Sequence, residues 1–253
     1  MKRYTNNIAR TQREIAGIAL SVGVVLAASP VSALPAIEEI TVTAEKRVTN
    51  LQETPIAITA FGSATLQKAG ITNVQEIGRF VPNVKMDLNR GGSQSGGPVF
   101  IRGVGQSDPL PGADPGVGVY VDGVYLGRST GSMFDLMDVE RVEVLRGPQG
   151  TLFGKNTIGG AINIITTQPG EEFEGKVEFE IGNYDLFDAR LSLNVPIAED
   201  KLFVRLNAVK MVRDGYTTNT TDNGRSVDDK DLMAGRLALK AIVSDDVDVL
   251  LTI

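Results

Sequence analysis

The sequence predicts an α+β domain, a small mixed sheet with short helices, followed by the first strands, about five, of an incomplete transmembrane β-barrel. Two observations support this fold class. Short β-branched runs separated by Gly- and Pro-rich turns fill residues 51–169. After Pro169, apolar and polar residues alternate strictly through several longer runs, the last of which reaches Ile253. A period of two places the apolar residues of a strand on one face.

The first 33 residues have the three-part pattern of a secretory signal peptide. The apolar stretch Ile15–Ala28 is shorter than the roughly 20 residues of a membrane-spanning helix, and Ser29-Pro30 ends it. Small residues at Val31 and Ala33 predict cleavage after Ala33. The basic residues that precede the apolar stretch are Lys2, Arg3, Arg10 and Arg13.

Composition excludes several classes of function. The chain has no Cys and no His, which removes Cys/His zinc sites, thiol nucleophiles and Ser-His-Asp triads. The net charge of −6 is not the basic footprint of a nucleic-acid-binding protein. The aspartates Asp122, Asp135 and Asp138 lack the spacing of a calcium loop. We therefore predict neither metal nor cofactor, and we predict that the protein is not an enzyme.

The segment Gly150–Thr157 superficially resembles a phosphate-binding loop. That motif requires Gly at position 149 and Ser or Thr at position 156, where this chain has Gln149 and Asn156. Nucleotide binding is therefore not expected.

Residues 34–50 form a short polar segment before the first domain. Within it, the β-branched residues Ile40–Thr43 alternate between apolar and polar side chains, which favours an extended conformation. Acidic and basic residues on both sides keep it solvated. Such a segment can add itself as a strand to the sheet edge of another protein, and an ordinary linker has the same composition.

Within residues 51–169 the pattern predicts strands, short helices and loops in turn. Ser63 is expected to cap a helix that ends at Gly70, and Asn73 to cap a second helix whose apolar side is formed by Val74, Ile77 and Phe80. Asp122-Gly123 between two β-branched runs predicts a tight hairpin. The predicted strands are Pro55–Phe61, Val99–Arg102, Val119–Val121, Val124–Leu126, Val142–Leu145 and Ile162–Ile165; the loops are Gly91–Gly97 and Asp108–Pro115, with one helical turn at Ser132–Met137.

The alternating runs after Pro169 have one apolar and one strongly charged face. They begin near Lys176, Phe187, Lys201, Met233 and Val247, with a polar stretch at 214–229. Transmembrane β-strands show this pattern, and so does a soluble antiparallel sheet with one solvated face. The signal peptide and the absence of Cys favour the barrel.

Two arginines occupy equivalent positions in this pattern. Arg102 and Arg146 each end an apolar run and precede a Gly. A guanidinium there can leave the sheet and bind a carboxylate bidentately. The alternative is an exposed cation at the end of a strand, which is the commoner case.

Four ordered motifs resemble one family, the TonB-dependent outer-membrane receptors. They are Ile-Arg-Gly-Val-Gly at 101–105, Gly-Val-Tyr-Val-Asp-Gly-Val-Tyr at 118–125, the long block from Val139 to Thr157, and Gly-Gly-Ala-Ile-Asn-Ile-Ile-Thr at 159–166. The resemblance begins near Glu38 and runs to the end of the chain. It implies a signal peptide at 1–33, a TonB box and linker at 34–50, a plug domain at 51–169 and the start of a β-barrel at 170–253.

The resemblance also implies partners and site residues. Glu39, Ile40, Thr41, Val42 and Thr43 would form the TonB box, which pairs with TonB in the periplasm, while ExbB and ExbD supply energy. Arg102 and Arg146 would be the plug arginines that pair with barrel glutamates, which would lie beyond residue 253. The plug loops expected to face the substrate contain Arg90, Gln94, Ser95, Gln106 and Asp108.

The function implied is TonB-dependent uptake of a scarce substrate across the outer membrane of a Gram-negative bacterium. A ferric siderophore or a similar chelate is the expected cargo. Five strands cannot close a barrel, so we expect the chain to be a fragment. The alternative is a soluble periplasmic binding or adaptor module that has a plug-like domain and no barrel.

Overall fold

The computed structural model describes residues 41–43, 49–86, 97–106, 114–127, 138–221 and 226–253. All of these residues belong to one unit, residues 40–253. The predicted signal peptide, the helical turn at 132–137 and most of the two predicted loops at 91–97 and 108–115 lie outside them. Within the described residues, no helix has the length and apolar character needed to cross a membrane.

The α+β domain contains ten short strands and three short helices among the described residues. In chain order they are β1 (Thr41–Val42), β2 (Thr49–Asn50), β3 (Ile58–Gly62), α1 (Ser63–Lys68), α2 (Val74–Ile77), β4 (Val84–Met86), β5 (Val99–Ile101), β6 (Val104–Gly105), β7 (Val117–Val121), β8 (Val124–Leu126), β9 (Val139–Arg146), α3 (Gly150–Phe153) and β10 (Gly160–Thr166).

A mixed five-stranded sheet forms the centre of this domain, in the order β3-β9-β10-β7-β8. β10 runs parallel to β7 and antiparallel to β9. In this register Ile162 lies between Val119 and Val144, and all three side chains are buried in the main core. Fully burying an aliphatic side chain stabilises a fold by about 1.5–3 kcal/mol, so this layer of branched residues holds the domain together.

Helix α1 begins differently from the expectation. Gly62, in an extended conformation, is the N-cap residue and makes no side-chain capping bond, while Ser63 is already helical. The prediction that Ser63 caps α1 was therefore wrong. The helix ends at Lys68, and Gly70 adopts a φ of 65°. The Ile71 N–H donates to the Leu66 carbonyl at 2.9 Å, which is the hydrogen bond of a Schellman ending.

Helix α2 confirms the predicted cap. The Asn73 side chain accepts from the Glu76 N–H at 3.1 Å, and the Glu76 carboxylate accepts from the Asn73 N–H. This reciprocal capping box satisfies two helix-end donors at once. Val74 and Ile77 are buried as expected, but Phe80 is half exposed. The expectation for Phe80 was wrong because α2 ends at Ile77 and Phe80 lies in the turn that follows.

The hairpin at Asp122-Gly123 is confirmed. Asp122 and Gly123 both have positive φ, at 48° and 80°, and Val121 pairs with Val124. Two successive positive φ values define the type I′ turn that matches strand twist. The Asp122 carboxylate also accepts from the N–H of Thr166 at 2.9 Å and from its hydroxyl at 2.6 Å. This hairpin turn is thereby tied to the end of β10.

Several strand boundaries differ from the sequence pattern: β7, β9 and β10 begin earlier than predicted, and β3 and β5 differ as follows. β3 begins at Ile58 rather than Pro55, and β5 ends at Ile101. Arg102, which was expected to end β5, adopts a φ of 52° and belongs to the following turn. Its N–H donates to the Asn83 carbonyl at 2.8 Å, so the chain is held where it leaves the strand.

The second region is an open antiparallel sheet in the order β11-β12-β13-β16-β17, called the wall sheet below. The five predicted alternating runs are confirmed as its strands. The polar stretch at 214–229 contains the short strand pair β14 and β15. The bounds are β11 (Glu174–Gly182), β12 (Leu186–Ala198), β13 (Leu202–Arg213), β14 (Thr217–Thr218), β15 (Ser226–Val227), β16 (Lys230–Ser244) and β17 (Val247–Thr252).

The two faces of the wall sheet have inverted polarity. The face turned toward the α+β domain buries polar side chains, including Asn194 at 2% and Asn207 at 0% exposure, beside the apolar Phe203, Val209 and Met211. The outer face exposes large apolar side chains, including Ile181 and Met233, each at 81%. A sheet in water normally buries its apolar face, so the wall sheet has the opposite arrangement.

Candidate functional site

The strand β1 lies docked against the α+β domain. Thr41 and Val42 pair antiparallel with Asn50 and Thr49 of β2. The side chain of Val42 is completely buried in a small cluster whose buried members also include Tyr120, Leu145 and Ala161. Three separate strands, β7, β9 and β10, thus supply the pocket that receives one valine.

A buried carboxylate holds the residue that follows β1. Glu143, in the middle of β9, is fully buried, and its Oε1 accepts from the Thr43 N–H at 2.7 Å. The Thr43 hydroxyl lies 3.1 and 3.3 Å from the two carboxylate oxygens. A buried carboxylate is costly unless its acceptors are satisfied, so Thr43 contributes directly to keeping Glu143 in place.

Two further donors complete the environment of Glu143. The Asn163 side chain donates to its Oε2 at 3.2 Å, and the Arg141 Nε–H donates to its Oε1 at 3.0 Å. Hydrogen bonds to a charged group are each worth about 1.5–3 kcal/mol. The same network therefore stabilises the sheet and fixes Thr43.

Aromatic side chains line the other side of the Val42 pocket. The Tyr120 ring lies 5.4 Å from the Tyr125 ring and 5.1 Å from the Phe153 ring, centroid to centroid. The Tyr120 hydroxyl donates to the Phe153 carbonyl at 2.6 Å. Burial raises the pKa of Tyr120, and the neighbouring Tyr125 adds to that rise. The Asn156 amide donates to the Tyr125 hydroxyl at 2.8 Å, which fixes the second ring.

The structure brings Arg102 and Arg146 close together. Arg146 ends β9, and the Arg102 guanidinium lies against Gly147, the next residue, where a Cβ would approach it to 3.3 Å. Arg102 is exposed and Arg146 half-buried, with the Arg146 Nε–H lacking a hydrogen-bond partner among the described residues. Their predicted pairing with barrel glutamates beyond residue 253 stays a prediction.

Of the predicted substrate-facing residues, the structure describes one. Gln106 lies half-buried directly after β6. Arg90, Gln94, Ser95 and Asp108 lie outside the described residues, as do Glu39 and Ile40 of the predicted TonB box. In the part of the chain that is described, no group of three or more acidic side chains could hold a metal ion.

Sequence reasoning missed the contacts between the α+β domain and the wall sheet. The sequence indicates only that Asp138 is an unsuitable calcium ligand, whereas in the structure its carboxylate accepts two hydrogen bonds from the Arg205 guanidinium of β13. Asp122 lies 3.5 Å from the Nη2 of Arg236 on β16. A signal was available, because the alternation places both arginines on the polar face of their strands.

The fold and the docked β1 define a class: a plug-type α+β domain followed by an open wall of antiparallel strands. Residues 50–161 match the family described as TonB-dependent Receptor Plug Domain. This match assigns residues 50–161 to the plug domain of TonB-dependent receptors, which confirms the family resemblance seen in the sequence.

Known relatives agree with this assignment. The pesticin receptor of Yersinia pestis is 33% identical over 164 residues, which cover 65% of this chain and 24% of that protein. The ferripyoverdine receptor of Pseudomonas aeruginosa is 30% identical over 178 residues, covering 69% of this chain and 20% of that protein. The chain thus spans about a quarter or less of the length of these relatives.

Solved structures show the same fold. The ferric yersiniabactin uptake receptor FyuA from Yersinia pestis superposes with a TM-score of 0.67 at 30% identity, covering 75% of this chain and 29% of that one. The pyoverdine outer membrane receptor FpvA from Pseudomonas aeruginosa, bound to pyoverdine, has a TM-score of 0.65 at 21% identity, covering 84% of this chain and 29% of that one. The second likeness concerns the fold alone.

Proposed function

We propose that the protein is an outer-membrane receptor that takes up a ferric siderophore or similar chelate in a TonB-dependent manner. In this proposal residues 1–33 export the chain, residues 34–50 carry the TonB box, residues 51–169 form the plug, and residues 170–253 begin the membrane wall. The protein is then a transporter rather than an enzyme, and it resides in the outer membrane of a Gram-negative bacterium.

The inverted polarity of the wall sheet carries the proposal. Its outer face exposes Phe179, Ile181, Met233 and other large apolar side chains, while Arg205 and Asn207 lie buried on the inner face. In water this arrangement would expose apolar area and bury polar groups, both of which are unfavourable. Against lipid the same arrangement is favourable, and it is the pattern of strands in outer-membrane barrels.

The docked β1 supports the role of a TonB box. Thr41, Val42 and Thr43 are extended residues whose pairing involves only two strand positions, with Asn50 and Thr49. An extended segment of this kind can exchange one strand partner for another, because strand addition depends on main-chain hydrogen bonds. We propose that TonB, energised through ExbB and ExbD, takes the place of β2 when the segment leaves its pocket.

The substrate assignment rests on the relatives. FyuA is described as a ferric yersiniabactin uptake receptor, and the Pseudomonas aeruginosa relative at 30% identity as a ferripyoverdine receptor, so an iron chelate is the first cargo to test. Arg90, Gln94, Ser95, Gln106 and Asp108 are proposed to face it from the plug loops. Arg102 and Arg146 are proposed to pair with barrel glutamates beyond residue 253.

Deletion of Glu39–Thr43 from the complete receptor tests the proposal. Binding and uptake of ⁵⁵Fe-labelled ferric yersiniabactin and ferripyoverdine are measured in cells that lack their own receptors for these chelates. The deletion should abolish uptake while leaving binding at the cell surface unchanged. Lys68→Ala, at an exposed position of α1, is the control and should leave both unchanged. Uptake that persists in the deletion variant would contradict the proposal.

A further inference from the structure

The inner face of the wall sheet holds one edge of the plug through buried charged contacts. Arg205 on β13 binds Asp138 bidentately, with Nη2 2.8 Å from Oδ1 and Nε bonded to Oδ2. The two side chains are only 9% and 10% exposed. A third group, Glu174 at the start of β11, lies 3.1 Å from the Arg205 Nη1. Bidentate pairing fixes both the distance and the orientation of the two partners.

A second arginine reaches the same edge from the next strand. Arg236 on β16 lies 3.5 Å from the Asp122 carboxylate through Nη2, and its Nη1 donates to the Thr167 carbonyl at 3.3 Å. The Thr167 N–H in turn donates to the Asp138 carbonyl at 2.9 Å. The hairpin turn, the start of β9 and the end of β10 therefore meet the wall together.

This edge lies away from the pocket that holds β1. Val42 packs beside Ala161 near the start of β10, whereas the edge against the wall is at Thr166 and Thr167. Thr43 of the same segment contacts Asn163, and three residues of strand separate Asn163 from Thr166, about 10 Å at the usual rise per residue. The segment that is proposed to leave with TonB and the contacts to the wall are therefore separate features of the plug.

We propose that Arg205 and Arg236 are positioning residues, which hold the Asp122–Asp138–Thr167 edge of the plug against the wall sheet. The line of contact between this edge and the wall sheet is called the seam, and these two arginines keep it closed. This inference rests on the proposed function, because it takes the wall sheet to be part of an outer-membrane barrel around the plug. Breaking one partner of a buried pair leaves the other charge uncompensated. Loss of Arg205 leaves the Asp138 carboxylate without this partner, and loss of Asp138 leaves Arg205 with Glu174 alone. Either change should therefore open the seam to water.

Asn207 provides a reporter for the seam. It lies two residues beyond Arg205 on the same face of β13 and opposite Arg236 in the register, and it is fully buried. Its amide makes no hydrogen bond with the described residues, so Asn207→Cys removes no contact seen here. Residues 1–253 contain no other Cys. Once any Cys elsewhere in the complete receptor is replaced by Ser, the reaction of this thiol with a membrane-impermeant maleimide measures opening of the seam.

The experiment compares labelling rates in the complete receptor in isolated outer membranes. Asn207→Cys alone should be protected, and addition of Arg205→Gln or Asp138→Asn should raise the labelling rate by about tenfold or more. The double change Arg205→Gln with Asp138→Asn should label no faster than the faster single variant, because both act through one pair. Lys210→Gln removes an ion pair between Lys210, on the outer face of β13, and Asp231 of β16. This control should leave the protection of the Cys unchanged.

Arg205→Lys keeps the charge but not the bidentate contact, and an intermediate labelling rate is expected. It also provides the comparison if Arg205→Gln is not assembled. Unchanged protection in the Lys, Gln and Asn variants, or effects that multiply in the double variant, would overturn the inference. Failure of the proposed function looks different: the receptor without these changes would then be missing from the outer membrane and would lack a heat-modifiable folded form on gels.

Discussion

The plug and the wall sheet are built from similar strands, yet they sort their side chains in opposite ways. In the plug, Val144 and Ile162 are paired on neighbouring strands and are both buried in the main core. In the wall sheet, Asn207 and Arg205 lie buried, while Ile181 and Met233 are exposed. The backbone rules are the same in both, since each pairs its strands by main-chain hydrogen bonds and alternates its faces.

The two regions therefore differ in the polarity of their buried and exposed side chains rather than in secondary structure. The plug is arranged for water outside and an apolar interior. The wall sheet is arranged for an apolar surrounding outside and a polar partner inside. The contacts between the two regions are accordingly charged, as in Arg205 with Asp138 and Arg236 with Asp122.

The largest effect is expected in the plug core. Ile162→Ala removes a fully buried side chain at the centre of the mixed sheet and should destabilise the plug by about 2–5 kcal/mol. Hydrogen exchange of the β9 and β10 amides in the complete receptor measures this loss. Ile158→Ala, at an exposed plug position, is the matched control. Equal exchange rates in the two variants would contradict the core assigned here.

A charged side chain on the outer face of the wall sheet should lower the stability of the receptor by nearly as much as Ile162→Ala. Leu206 points outward from the middle of β13 and is partly exposed. Leu206→Arg should destabilise the lipid-embedded receptor by about 2–4 kcal/mol, the range for Arg or Lys near the bilayer midplane. The folded fraction in lipid vesicles is measured by heat-modifiable gel mobility. If the outer face met water instead, Leu206→Arg would fold as well as the unchanged receptor.

The Asn73 cap of α2 should contribute less to the stability of the plug than either of these positions. Asn73→Ala removes the side-chain acceptor for the Glu76 N–H and should destabilise the plug by about 1 kcal/mol. Thermal unfolding followed by hydrogen exchange in α2 detects the change. Asn73→Asp, which retains the acceptor, should behave like the unchanged protein, and a loss as large as that of the Ala variant would argue against a capping role.

The smallest expected effect is on the dependence of plug stability on pH. Burial raises the pKa of Tyr120 above its ordinary value of 10.0. A raised pKa means that the folded state favours the neutral phenol, so this contribution to stability is complete below pH 10.0 and is lost as the pH rises through the folded pKa. Tyr120→Phe cannot ionise and should lack this part of the alkaline loss. Thermal midpoints at pH 8 and above pH 10 in both proteins measure the difference, and parallel curves would contradict the assignment.

The sequence predicted most local features because their causes are local. The Asp122-Gly123 hairpin follows from two residues that tolerate positive φ, and the Asn73 cap follows from its spacing to Glu76. The wall strands follow from their period of two. Ser63 was wrongly assigned as a cap because Gly62, one residue earlier, adopts the extended conformation that a cap requires.

Contacts between distant residues could not be predicted in the same way. The pocket of Val42 combines residues from β7, β9 and β10, and no local pattern indicates that those strands meet there. The sequence predicts ion pairs for Arg102 and Arg146 of the plug. The pairs that the structure shows between plug and wall have the reverse polarity, with acids such as Asp138 on the plug and arginines such as Arg205 on the wall.

The central claim, that the wall sheet faces lipid with its apolar side, can be tested along a single strand. Residues 1–253 contain no Cys. With any Cys in the rest of the complete receptor replaced by Ser, spin labels can be placed one at a time at residues 232–240 of β16 in lipid vesicles. Collision with oxygen, which concentrates in lipid, should peak at Met233, Gly235, Leu237 and Leu239 and fall at the residues between them. A pattern in which these four positions instead collide with a water-soluble nickel chelate would contradict the account.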